Sequence, residues 1–252
     1  MLSKNKIKYI HSLDMKKHRR EEGVFLAEGG KLVGDLLGKF PCRLIIGTEE
    51  WLGNHPKVHA IETIEVNQEE LSRASLLKSP QEVLAIFEQP HYDLLPEVTA
   101  QALCLALDDI QDPGNLGTIV RIADWFGIND IFCSVGTVDI YNPKAIQATM
   151  GAIARVRLHY CNLAGFIASS VKEGIPVFGT FLNGNNIYTE TLSATGLIVM
   201  GNEGNGISKE IATHINKRLL IPSFPQGSIG SESLNVSVAT AVICAEFRRR
   251  LL

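Results

Sequence analysis

Three short stretches of the sequence combine residue types and spacings able to support chemistry. In one, a hydrophobic run from Leu197 breaks into Met200-Gly201-Asn202-Glu203-Gly204-Asn205-Gly206, three glycines within six residues around a single acidic side chain. Glycine lets backbone N–H and C=O groups approach a ligand that side chains would hold off. A second stretch, Asn115-Leu116-Gly117-Thr118-Ile119-Val120-Arg121, sets an amide and a guanidinium six residues apart. The third runs Leu220-Ile221-Pro222 and, beyond a polar loop from Ser223 to Glu232, resumes as Ser233-Leu234-Asn235 ahead of the small residues Val236-Ser237-Val238-Ala239. Together they read as a binding site made of backbone and a few polar side chains.

Each stretch also has a plainer reading. Glu203 is then a solvated charge in a tight turn, and Arg121 a surface arginine paired with Asp124 one turn on. Ser233 and Asn235 then start a helix whose small residues allow close packing. Commoner motifs do not fit. A phosphate-cradling loop needs lysine after its second glycine, but Ile207 follows Gly206, and the dinucleotide pattern fails at its later glycines. Gly227-Ser228-Ile229-Gly230 has Gln226 where a nucleophile elbow needs glycine, which argues against a hydrolase. His159 and His214 lack partner spacing and are expected at surface or capped positions.

The elements that must position these stretches alternate. Beyond residue 100, expected strands at 102–107, 130–135, 155–160, 176–181, 197–201 and 218–221 are interleaved with helices at 115–126, 143–150, 162–173, 207–215 and 235–249. This pattern predicts a mostly parallel sheet covered by helices on both faces, with ligands beyond the carboxyl ends of strands such as those ending at Leu107, Met200 and Ile221. Asn115 is expected as the N-cap of its helix, with Leu116, Ile119, Val120, Ala123 and Phe126 as the buried stripe and Arg121 off it. Residues 1–90 read as a separate small α/β module: a basic helix over 4–20, strands near 24–27, 43–46, 61–66 and 82–87, and short helices after Gly30 and near 68–76. Two prolines in the stretch from Pro90 to Pro96 mark an interdomain linker, taken as 91–100, before a second domain over 101–252.

Composition suits a globular chain: 252 residues, 45% hydrophobic and 20% charged, with a net charge of −3. Five cysteines without C-x-x-C spacing indicate neither a disulfide framework nor a metal site, and they suit a reducing cytoplasm. The start of the chain lacks the apolar core of a signal peptide, and no apolar run approaches the roughly 18 residues of a membrane span, so no membrane partner is expected. Charge is locally uneven. Lys4, Lys6, Lys8, Lys16, Lys17, Arg19 and Arg20 face Asp14 alone, and Arg248-Arg249-Arg250 lies near the C-terminus. Such patches serve equally as solvated surface or as a phosphate grip for nucleic acid.

The three stretches resemble the signature motifs of the SpoU (TrmH-like) RNA ribose methyltransferases of the SPOUT superfamily. Asn115 and Arg121 stand at the spacing of the family's first motif, Gly201 and Glu203 match the Gly-x-Glu of its second, and Ile221-Pro222 with Ser233-Leu234-Asn235 matches its third. The opening of the chain, through Lys17, Arg19, Arg20, Gly23, Phe25, Glu28 and Gly29, resembles more loosely the L30e-like substrate-binding domain found ahead of some SpoU domains. The resemblance implies a deep trefoil knot in the second domain, a homodimer, and S-adenosylmethionine as cofactor, contacted at Met200, Gly201, Asn202, Ile221 and Leu234. It implies catalytic roles for Arg121, Asn115, Glu203, Ser233 and Asn235, with no metal. Lys16, Lys17, Arg19 and Arg20 are the expected RNA contacts.

The implied reaction moves an activated methyl from sulfonium to a ribose 2′-hydroxyl, which requires alignment of the oxygen and removal of its proton. Arginine, with a pKa above about 12, is a poor base unaided, so Arg121 acts as an assisted base or as an orienting group. The expected substrate is structured RNA, with rRNA preferred to tRNA because the first domain resembles a ribosomal-protein fold. The competing classes are a SPOUT-fold protein that binds RNA without turnover, and a methyltransferase directed at bases.

Overall fold

The computed structural model describes residues 2–225 and 233–251. Gly227-Ser228-Ile229-Gly230, and the loop from Gln226 to Glu232, lie outside the described residues. Contacts group the chain into two units, Met1–His91 with Asp139–Ala154, and Tyr92–Val138 with Arg155–Leu252.

The first unit holds a four-stranded sheet of β1 (Val24–Glu28), β2 (Cys42–Gly47), β3 (Glu62–Glu65) and β4 (Val83–Glu88), in the order β1-β4-β2-β3. β4 runs antiparallel to β1 and β2, while β2 and β3 are parallel. Strands β1 and β4 are apolar at successive positions, so both faces need cover. On one face Val24, Leu26, Leu44, Ile46, Leu84 and Ile86 form a core with Ile10, Leu13 and Leu71. On the other, Phe25 stacks on Phe87 at 5.6 Å and meets Tyr141 at 5.3 Å. Tyr141 belongs to Asp139–Ala154, which the sequence places in the second domain. The segment packs in the first unit because β1 needs its apolar cover, with Ala145 and Ile146 of helix Pro143–Thr149 fully buried.

The expected helix over 4–20 is two helices, Lys4–Ser12 and Lys16–Glu22. The break frees the carbonyls of Leu13 and Asp14, and the Arg19 guanidinium donates to both at 2.8 Å. Gly23 ends the second helix at φ 64°, the left-handed cap that favours glycine. Glu28 is buried and accepts from Ser75 Oγ and from the Leu76 N–H, tying down the chain that leads towards β4. Burial pushes its carboxyl up.

The second unit is a six-stranded sheet of β5 (Leu103–Leu107), β6 (Asp130–Ser134), β7 (Arg157–Cys161), β8 (Val177–Asn186), β9 (Gly196–Met200) and β10 (Lys217–Leu220). The order is β10-β8-β9-β5-β6-β7, and every pair is parallel. The chain steps from β5 outward through β6 and β7, then crosses to build the other half beyond β9. β5 and β9 therefore flank the point where strand order reverses, and their carboxyl ends open the crevice where such sheets bind ligands. Both strands are buried throughout, as central parallel strands must be. Strand β8 runs to Asn186, past the expected end at 181. Its pairing with β10 jumps from Gly179 to Asn185, and a side chain at Gly184 would overlap the backbone of Arg218 and Leu219.

Helices Pro113–Trp125 and Val236–Arg249 pack together. Arg248 closes the pair by donating to the carbonyls of Phe126 (2.7 Å) and Gly127 (3.0 Å), where helix Pro113–Trp125 ends.

Candidate active site

Helix Pro113–Trp125 begins two residues earlier than expected. Asp112, not Asn115, is its N-cap, accepting the Asn115 N–H at 2.7 Å, and Pro113 takes the first position, where no N–H is needed. Asn115 thus lies inside the first turn with its side chain available. Its Nδ2 donates to Glu203 Oε1 at 3.1 Å, and its Oδ1 accepts from Asn235 Nδ2 at 3.0 Å.

Asn235 caps helix Val236–Arg249. Its Oδ1 accepts from the N–H of Ser237 (2.9 Å), the N–H of Val238 (3.3 Å) and Ser237 Oγ (2.6 Å), so only its amide nitrogen can face Asn115. Glu203 also accepts from the N–H groups of Gln111 and Asp112, each at 3.3 Å, at the helix end where a carboxylate is favoured. One hydrogen-bonded row, Glu203–Asn115–Asn235–Ser237, therefore joins all three stretches. Arg121 and Ser233 are exposed and are not hydrogen-bonded to it.

The loop after β9 is held from within. Asn202 and Gly206 exchange backbone hydrogen bonds at 3.0 and 2.9 Å, and Asn202 Oδ1 accepts from Gly204 and Asn205. A side chain on Gly201 would overlap Gly206 and Ile207, so this glycine serves loop closure. Met200 is buried, and its carbonyl accepts the Asp108 N–H at 2.9 Å. Asn202 Nδ2 donates to the Asp109 carbonyl at 2.7 Å. Met200 and Asn202 thus brace the loops.

The sequence reading missed three further braces. Asp108 accepts the Ser208 N–H at 2.7 Å, Asp109 sits at φ 59° with its N–H on Ser134 Oγ, and Gln111 bonds Asp109 Oδ1 and the Gly136 carbonyl. Two acids directly after a strand at the reversal point were the available signal.

Ile221 and Leu234 differ from Met200 and Asn202. Their backbone groups have no hydrogen-bond partner among the described residues, and the Leu234 side chain is half exposed. Unpaired backbone donors and acceptors beside an apolar side chain fit the adenine ring of the implied cofactor.

Arg121 has no partner among the described residues. Asp124, the candidate partner, is instead held by Arg155 through two bonds of 2.8 Å. The N-terminal basic residues divide. Lys16, Lys17 and Arg20 are exposed, whereas Arg19 is 1% exposed and ion-paired to Asp139 at 2.6 Å. Arg19 is therefore a structural residue and does not present its charge to RNA. The C-terminal arginines are also engaged: Arg248 as above, Arg249 and Arg250 on Glu246, and Arg250 on the Tyr188 carbonyl.

His159, expected at a surface or cap, is buried with its Nε2 2.9 Å from Asp130 Oδ1 and its ring on Phe132. Burial acts to push the Asp130 carboxyl up, but hydrogen bonds from His159 and Arg157 hold it down at about 2. Among the described residues no cluster of potential metal ligands occurs.

Comparisons with known proteins place the chain among RNA methyltransferases. A family model described as the SpoU rRNA Methylase family matches residues 102–245, and one described as the MRM3-like substrate binding domain matches residues 4–85. The chain is 30% identical over 246 residues to 23S rRNA (guanosine(2553)-2′-O)-methyltransferase RlmP of Bacillus subtilis, covering 96% of each. It is 26% identical to mitochondrial rRNA methyltransferase 3 of Homo sapiens, covering 92% of this chain and 69% of that one. Among solved structures, an RNA methyltransferase described as of the TrmH family from Porphyromonas gingivalis aligns with a TM-score of 0.90, 41% identity and 99% coverage of both chains. An AdoMet-bound rRNA methyltransferase from Sinorhizobium meliloti aligns with a TM-score of 0.85 and 31% identity, covering 100% of this chain and 97% of that one.

Proposed function

This chain belongs to the SpoU rRNA methylase family, and on that premise we propose that it methylates a ribose 2′-hydroxyl of ribosomal RNA, with S-adenosylmethionine as methyl donor. The cofactor supplies a methyl group activated on sulfonium. The observation that carries the reading is the row Glu203–Asn115–Asn235, which locks the family's three motifs into one framework at the strand-order reversal.

Backbone groups at Ile221 and Leu234, without partners among the described residues, hold the adenosyl group. Arg121, on the same helix as Asn115 and without a partner among the described residues, is open to a substrate phosphate and orients the 2′-hydroxyl. Ser233 faces the substrate side. Lys16, Lys17 and Arg20 add non-specific attraction for the RNA backbone. The first unit is an L30e-like substrate domain, a reading supported by the MRM3-like match, and the rRNA methyltransferases among the relatives favour rRNA over tRNA.

The C-terminal segment of the second unit is deeply knotted. Support comes from the path of the chain: it leaves edge strand β10 and returns to the reversal point, where Asn235 meets Asn115. The protein is a homodimer in the cytoplasm. Trp125, 84% exposed, lies on one of two packed helices, and Leu234 and Val238, each about half exposed, lie at the start of the other, an apolar set suited to a second copy. Free cysteines fit a reducing compartment. Among the described residues no helix is long and apolar enough to cross a membrane.

The test is methyl transfer from labelled S-adenosylmethionine to fractionated rRNA and tRNA, followed by alkaline hydrolysis, which a 2′-O-methyl group blocks at its own nucleotide. Label in alkali-resistant dinucleotides from rRNA is the expected result. Label confined to mononucleotides would indicate base methylation, and cofactor binding without turnover on either fraction would indicate a binding protein. A dimer mass at micromolar concentration, reduced to a monomer by Trp125→Glu, is the expected result in solution.

A further inference from the structure

A cavity of about 500 Å³ opens in the first unit, walled by the turn after β1, the helix Glu49–Asn54 that follows β2, and the residue before β4. None of the sequence motifs points to it. Its wall includes Gly30, Lys31, Glu50, Trp51, His55 and Glu82.

We propose that this cavity receives a guanine base splayed out of the RNA, making it the base-reading point of the substrate domain; the proposal rests on the RNA methyltransferase reading above. Trp51 is only 4% exposed, yet its indole N–H has no acceptor among the described residues. It points at Gly30, where an added Cβ would lie 2.9 Å from Nε1. The residue lines the cavity, so its N–H is a donor left open to an acceptor from outside the chain. The Glu82 carboxylate meets the same point above Gly30, so glycine keeps the space between the two groups open. The side chains of Glu82, Glu50 and Lys31 also make no hydrogen bond or ion pair among the described residues.

The wall is aromatic as well as polar. The His55 ring lies on Trp51 at 4.2 Å and 15°, and its Nδ1 is held to the Trp51 carbonyl at 2.8 Å. A flat platform of this kind suits a nucleobase, because bases in unpaired RNA are recognised by stacking and by their polar edges.

Charge then selects the occupant. Two free carboxylates repel a phosphate, so the cavity reads a base and not the backbone. Guanine alone offers two adjacent donors, N1–H and the 2-amino group, which a carboxylate accepts side by side. Its O6 and N7 acceptors suit the Trp51 N–H and the Lys31 ammonium. Adenine and cytosine set an acceptor beside their amino group, and uracil flanks its one N–H with carbonyls.

The experiment measures binding of the full chain to 23S rRNA transcribed in vitro, by filter retention, for wild type, Glu82→Gln and Lys31→Ala. Each variant is expected to weaken RNA binding on the order of ten-fold, with S-adenosylmethionine affinity and thermal midpoint unchanged. Guanosine monophosphate should compete where the other three monophosphates do not, and Glu82→Gln should abolish that preference. Variants that bind RNA like wild type, or four mononucleotides that compete equally or not at all, would overturn the proposal. Because binding is read without turnover, a wild type that shows these effects but transfers no methyl group would refute the methyltransferase reading alone.

Discussion

Asn115 has two hydrogen-bonding ends, and a different loop takes each. Asn115→Ala should therefore let the loop after β9 and the start of helix Val236–Arg249 drift apart. Misplacement on the scale of 1 Å costs on the order of 100-fold in rate, so methyl transfer should fall by about that factor while cofactor affinity moves only a few-fold. Asn115→Asp should be worse, since it sets a carboxylate against Glu203. Arg121→Ala should abolish transfer and leave cofactor binding largely intact; equal loss of both would show that the arginine is structural. Direct binding and rate measurements on each variant separate these outcomes. At this scale, the Asn115-to-Arg121 spacing and the Gly-x-Glu turn were legible because each is local. The N-cap was misassigned although Pro113, a first-turn residue, already marked the start at Asp112. The braces at Asp109 and Gln111 were illegible because their partners lie far along the chain, up to 93 residues away.

Helix ends account for most of what differs at the scale of elements. Arg248 closes helix Pro113–Trp125 through two carbonyls of a following turn, a contact 122 residues long that no local pattern encodes. Arg248→Ala should cost roughly 1–2 kcal/mol and lower the thermal midpoint by about 3–6 °C, measured by scanning calorimetry. Gly34 offers the opposite case. It lies inside helix Gly30–Leu36, exposed, with nothing near the place a methyl group would occupy. Gly34→Ala should raise the stability of the first unit by about 0.5–1 kcal/mol, read from denaturant unfolding. Strands β1, β4, β5 and β9 were legible from their unbroken apolar runs. The basic region 4–20 reads as one helix because its residue types allow that. The break comes from the buried Leu13 and from Arg19, whose pairing with Asp139 is a tertiary fact.

For the molecule as a whole, acid is the condition that the structure marks as damaging. Burial and the bonds from His159 and Arg157 leave the Asp130 carboxyl at about 2, against an ordinary 3.8. Hydrogen bonds from Arg249, then Arg250, hold Glu246 at about 2, against 4.5. Both groups bind protons less readily folded than unfolded, so the stability they give is complete above about pH 5 and is lost as pH falls towards about 2. The thermal midpoint should drop across that window, and by less in Asp130→Asn.

The contact grouping changes after His91, within the proline-bounded stretch 90–96, but nothing local shows that 139–154 groups with the first unit. That excursion has a practical meaning. A protease that cuts once between residues 92 and 98 would sever the backbone without freeing the N-terminal fragment, because Arg19, Phe25 and Glu28 still grip Asp139, Tyr141 and Gln147 on the other piece. The nicked protein should migrate as one particle until denatured, and the two fragments, made separately, should complement each other.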